Sequence, residues 1–114
     1  MKEILNDWLE RNAHQPGVLA CGLSYPDKST CTRAAAANFS NEALENAWRC
    51  LADTFQVLKH HRLPAVRLRW VYEHCYLHCA TRPDGIFLAL FTARKDVDAI
   101  EVNRLLSEFQ SLGN

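Results

Sequence analysis

Residues His74-Cys75-Tyr76-Leu77-His78-Cys79 form the richest cluster of metal-ligating and nucleophilic side chains in the chain. On a helix, His74 and His78 would share one face, as would Cys75 and Cys79, and either pair could hold a metal. On a strand, positions four apart are separated by roughly 13 Å, too far to share one zinc ion. Alternating side chains before the cluster and a turn after it favour the strand, with Glu73-His74 as the reversal that opens it. Cys75, Leu77 and Cys79 then line a core face, while Tyr76 and His78 face the other way. Free cysteine is among the most buried residue types, so structural thiols are expected here rather than metal ligands.

The remaining candidates are weaker. His60-His61 suits the solvated end of a long helix, where partial positive charge is favoured. His14 stands alone in the first loop. There is no Gly-rich phosphate loop, no Gly-x-Ser-x-Gly elbow and no Cys-x-x-Cys pair. Asp96, Asp98 and Glu101 fall where acids stabilise the start of a helix, and Asp84 belongs to a turn. Arg67 and Arg69 form a short basic row that could grip an acidic partner, or could be the solvated side of an edge strand. The sequence therefore points to no catalytic residue, no cofactor and no metal site.

The elements that carry these residues are read from periodicity. Residues 2–12 place Ile4, Leu5, Trp8 and Leu9 at helical spacing. Residues 18–25 and 30–35 read as a hairpin around Pro26-Asp27-Lys28-Ser29. Ser40 or Asn41 can cap a long helix to about residue 60, with Leu44, Ala47, Trp48, Leu51, Phe55 and Leu58 as its apolar stripe and Pro64 as its stop. From Ala65 to Tyr72 the period is two, with Val66, Leu68, Trp70 and Tyr72 on one face and Arg67, Arg69 and Val71 on the other. Pro83-Asp84-Gly85 is a turn, and residues 86–92 are apolar on both alternating faces. Such a strand should be central, with helices above and below. Asp96 or Asp98 caps a last helix that buries Ile100, Val102, Leu105, Leu106, Phe109 and Leu112. The short links between strands require an antiparallel sheet.

Composition narrows the functional classes. A chain of 114 residues, with no repeat and no linker, suits one domain over 1–114. Lys plus Arg number 13 and Asp plus Glu number 13, so no net field favours nucleic acid, although a local patch can hide inside a neutral total. Acids interrupt the first apolar residues, unlike a signal peptide, and no apolar run approaches the ~18 residues of a membrane span. Five scattered cysteines, an odd number, suit a soluble protein of the reducing cytoplasm.

The order helix–β–β–helix–β–β–β–helix resembles the roadblock (dynein light chain) family across residues 2–112. Leu19-Ala20-Cys21-Gly22-Leu23-Ser24-Tyr25-Pro26-Asp27 resembles the family's first strand and acidic turn, although Lys28 and Ser29 stand where the family usually has Gly. Residues 82–91, running from Arg82-Pro83-Asp84-Gly85 to Phe91, resemble its last hairpin and final strand. The resemblance implies an α/β (α+β) three-layer sandwich, profilin-like in its layering, with a five-stranded antiparallel sheet between the long helix and the two terminal helices. It also implies a non-catalytic scaffold or regulator of small Ras-like GTPases that forms homo- or heterodimers through residues 41–60 and 65–72. Trp48, Leu51, Phe55, Val66, Arg67, Leu68, Arg69 and Trp70 are the expected interface residues. Competing readings are a type III secretion chaperone, against which the neutral charge argues, a ligand-sensing domain of similar layering, and a metal enzyme using His74, Cys75, His78 and Cys79.

Overall fold

Eight elements among the described residues follow in the order that periodicity predicts: α1 (Lys2–Asn12), β1 (Val18–Ser24), β2 (Thr30–Ala34), α2 (Asn41–His60), β3 (Arg67–Val71), β4 (Cys75–Thr81), β5 (Phe87–Ala93) and α3 (Ala99–Ser111). They are taken from a computed structural model, which describes residues 1–35, 39–63, 66–94 and 99–113. Pro64, Ala65, Asp96 and Asp98, expected to stop α2, open β3 and cap α3, lie outside the described residues.

The strands form one sheet in the order β2-β1-β5-β4-β3, with every neighbouring pair antiparallel. β5 is central, as its two apolar faces require. Leu88 and Leu90 join Leu5, Trp8 and Leu9 of α1 and Val102, Leu105, Leu106 and Phe109 of α3 in one core. Phe87 and Ala89 join Leu44, Trp48 and Leu51 of α2, with Leu77 and Cys79 of β4, in the other. The result is the three-layer α+β arrangement, α2 on one face of the sheet and α1 with α3 on the other.

Local chemistry explains where α2 begins. The Ser40 hydroxyl accepts a hydrogen bond from the Ala43 amide at 3.1 Å, Glu42 sits in the first turn, and Lys59 and His60 sit in the last. The stripe of α2 is deepest at Leu44, Trp48 and Leu51 and rises to half-buried at Phe55 and Leu58. In β1, Gly22 lets α2 approach: the Trp48 indole lies directly over it and donates to the Thr32 hydroxyl at 3.0 Å. Gly85 takes φ +88° in the turn before β5, a conformation that glycine adopts without strain.

Some expectations need correcting. Ile4 and Ile100 are 52% and 80% exposed. Each lies off the narrow arc its helix buries, since Ile100 is two residues, about 200° of helical turn, from Val102. β2 ends at Ala34, and β3 is shorter than the expected 65–72, leaving Val66 and Tyr72 outside it.

Candidate functional site

β3 is an edge strand, so one side of its backbone has no sheet partner among the described residues. Its side chains divide as the period of two demands. Leu68 and Trp70 turn toward the α2 layer and are half-buried, while Arg67, Arg69 and Val71 are exposed. The Arg67 guanidinium donates to Gln110 Oε1 at 2.9 and 3.1 Å and to Ser107 Oγ at 2.8 Å. The Gln110 amide in turn donates to the carbonyls of Val66 and Thr81, each at 3.1 Å, so α3 fastens the outer edge of the sheet. Val66, Val71 and Tyr72, along and beside β3, are exposed apolar side chains, as are Val57 near the end of α2 and Leu63 just beyond it.

The residues expected at an interface therefore separate. Trp48 and Leu51 are 1% and 4% exposed, and their surface is already spent on the core of their own chain. That removes them from any outer surface. Phe55, Leu68 and Trp70 form a half-buried margin, and Val66, Arg67 and Arg69 are exposed. Val57 and Val71 lie within the expected pairing segments but are not among the residues expected at the interface, and Leu63 lies outside both segments; all three are exposed. Val57 was legible as an apolar residue off the buried stripe of its helix; Leu63 carried no periodic signal because it lies outside any element.

The His–Cys cluster is a strand, and the strand parts the groups that a helix would unite. Cys79 is fully buried on the α2 side, where burial pushes its thiol up to about 12. Its neighbour His78 faces the opposite layer beside Tyr76, with ring centroids 5.8 Å apart. Cys75 is half-buried, and burial raises its thiol as well. His74 is exposed in the reversal next to Glu73. Among the described residues no three His, Cys, Asp or Glu side chains converge on a point that could hold a metal.

His78 carries a pH effect. Burial, and after it the Arg69 guanidinium, lowers its pKa below 6.5. The unfolded chain therefore takes up a proton first as the solution is acidified. The stability that neutral His78 contributes is present above pH 6.5 and is lost as pH falls through 6.5 toward the folded value. The urea midpoint should fall between neutral and mildly acidic pH, and His78→Gln should flatten that fall. An unchanged slope in the variant would remove His78 as its cause.

A five-stranded antiparallel sheet in this order, with one long helix on one face and the terminal helices on the other, is the fold of a roadblock domain. Neither a family model nor a curated protein matches the sequence. Solved structures match over nearly the whole chain. Myxococcus xanthus MglB superposes with a TM-score of 0.74 at 8% identity, covering 94% of this chain and 89% of its own. A roadblock/LC7 domain from Streptomyces avermitilis gives 0.68 at 16% identity, covering 90% and 89%. MglC from Myxococcus xanthus gives 0.53 at 18% identity, covering 93% and 92%. At such identities the shared property is the fold.

Proposed function

We propose that this chain is a non-catalytic protein-binding module of the cytoplasm that pairs with a second copy through α2 and β3 and scaffolds or regulates a small Ras-like GTPase. The observation that carries the pairing is the open edge of β3, bordered by exposed Val66, Val71 and Tyr72. An unpaired strand edge beside apolar surface is a template for another strand, and covering both at once removes apolar area from water. The GTPase follows from the resemblance to the roadblock family and from the shared fold, which is a fold-level argument. No helix among the described residues is long and apolar enough to cross a membrane.

Light scattering across a dilution series tests the pairing. The wild-type chain should hold twice its monomer mass to low micromolar concentration, and Leu68→Lys should halve it. Val71→Lys, at an exposed position, should act in the same direction without threatening the fold. A monomer at every concentration, or a dimer indifferent to both substitutions, would dismiss the pairing. For the partner, immobilised chain should retain a small GTPase from native-host lysate with a preference for GDP or for a non-hydrolysable GTP analogue. Recovery of no GTPase under either nucleotide counts against that half of the proposal.

A further inference from the structure

The basic side chains of this neutral protein are not all treated alike. Lys2 pairs with Asp27, Arg33 with Glu10, Arg82 with Asp84, and Arg104 with Glu101 and Glu108. Three others, Arg67, Arg69 and Arg94, line a cleft of about 330 Å³ between the outer part of the sheet and α3, together with Tyr76, His78 and Asn103. Among the described residues no carboxylate lines that cleft. Among the described residues Arg67 donates only to the neutral Gln110 and Ser107 side chains. Arg69 and Arg94 lie over the same Tyr76 ring, each 5.3 Å from its centroid, and Arg94 otherwise donates to the carbonyls of Tyr72 and Glu73.

The fold makes this convergence. Arg67 and Arg69 are two apart on β3 and so share a face. The antiparallel register sets His78 directly opposite Arg69, and Tyr76 opposite Val71 on that same face. Arg94 follows the end of β5 and reaches across to Tyr76. Val102 and Leu106 of α3 supply an apolar wall. Three guanidinium groups that meet no carboxylate among the described residues repel one another, and a bound anion would relieve that repulsion. The planar fork of arginine suits oxyanions, and three forks offer more donors than the two oxygens of a carboxylate can accept, whereas a phosphate presents three terminal oxygens. The volume lies at the lower end of small-ligand sites, and such sites combine an apolar lining with a few polar anchors.

We propose that this cleft binds a small phosphate monoester, its phosphate held by Arg67, Arg69 and Arg94 and its organic part against Val102 and Leu106. The site shares β3 with the proposed pairing edge, Arg67 and Arg69 lying on the face of that strand opposite Trp70, and it needs no catalytic step.

The test titrates the full chain with phenyl phosphate and with inorganic phosphate at constant ionic strength, followed by amide chemical shifts and by calorimetry. Saturable shifts should centre on Arg69, Tyr76 and His78, with phenyl phosphate the tighter ligand. Arg69→Gln should weaken binding by at least about tenfold, the loss expected for a charge-assisted contact. Arg69 is exposed, so the fold should survive, which the unperturbed remainder of the spectrum would verify. Arg49→Gln, an exposed arginine on α2, is the control and should leave affinity unchanged. Equal losses in the two variants, shifts that fail to saturate, or no shift at millimolar ligand would overturn the site. Equal affinity for the two probes would overturn the assignment of an organic part.

Discussion

Gly22→Ala is expected to lower the stability of this domain by about 2–3 kcal/mol, although it adds only one methyl group. A Cβ built on Gly22 stands 2.4, 2.5 and 2.6 Å from Cε2, Nε1 and Cζ2 of Trp48, far inside van der Waals contact. Neither partner can move aside cheaply. The indole is fully buried, donates to Thr32 and packs 6.0 Å from the Phe91 ring. The glycine backbone is held between β2 and β5 in register with Thr32 and Ala89. The melting temperature should fall by roughly 10–20 °C in a domain of this size. Because the three nearest atoms all belong to the Trp48 indole, Gly22→Ala should cost far less in a Trp48→Leu background, where those atoms are gone. Circular-dichroism melts of the two single variants and the double variant complete the cycle. Additive losses would show that the glycine matters for some other reason.

That contact was not legible in the sequence, and the contrast with what was is instructive. Periodicity sees one element at a time. It placed α1 at its observed bounds, found Ser40 as a candidate cap, and put residues 86–92 at the centre of the sheet because their two faces are equally apolar. It could not say that β1 lies beside β5, nor that a helix residue would rest on Gly22, since both depend on how separate elements stack. Its errors have a similar origin. Ile4 and Ile100 are apolar and helical, yet burial follows angle around the helix rather than residue type. The first turn also shows tertiary context overriding local preference. Lys28 takes φ +72°, where glycine is favoured. Asp27 steadies the turn by accepting from the amide and hydroxyl of Ser29.

The candidate site was half legible for the same reason. Alternation put Arg67 and Arg69 on one face of an edge strand and separated Cys79 from His78. It could not bring Arg94, twenty-five residues from Arg69 in sequence, to the same tyrosine ring, because that meeting is made by the β3–β4–β5 meander. A helical stripe likewise cannot distinguish a core residue from an interface residue. Trp48 and Phe55 belong to one stripe, but only the second reaches the surface.

Arg82→Met should cost about 3 kcal/mol, and the loss should reach α3 as well as the β4–β5 turn. The Arg82 side chain is 4% exposed, an unusual place for a charge. Its Nη1 donates to the Phe109 carbonyl at 2.8 Å, its Nε lies 3.1 and 3.3 Å from the Asp84 carboxylate oxygens, and its guanidinium sits 5.6 Å from the centroid of the Phe109 ring. One side chain thus ties the turn before β5 to the last turn of the final helix. Methionine can fill the volume but leaves the Phe109 carbonyl with the longer Leu112 amide contact, at 3.4 Å, in place of the guanidinium. Lysine keeps the charge without the planar fork, so Arg82→Lys should fall between methionine and wild type. Asp84→Asn should cost least, under about 1 kcal/mol, because that carboxylate is 41% exposed and water can replace what it loses. Hydrogen exchange supplies the spatial readout: in Arg82→Met the amides of α3 should lose protection before those of α2. Uniform loss across both helices, or a stability order with Asp84→Asn as the most damaging change, would show that the arginine is not the clamp.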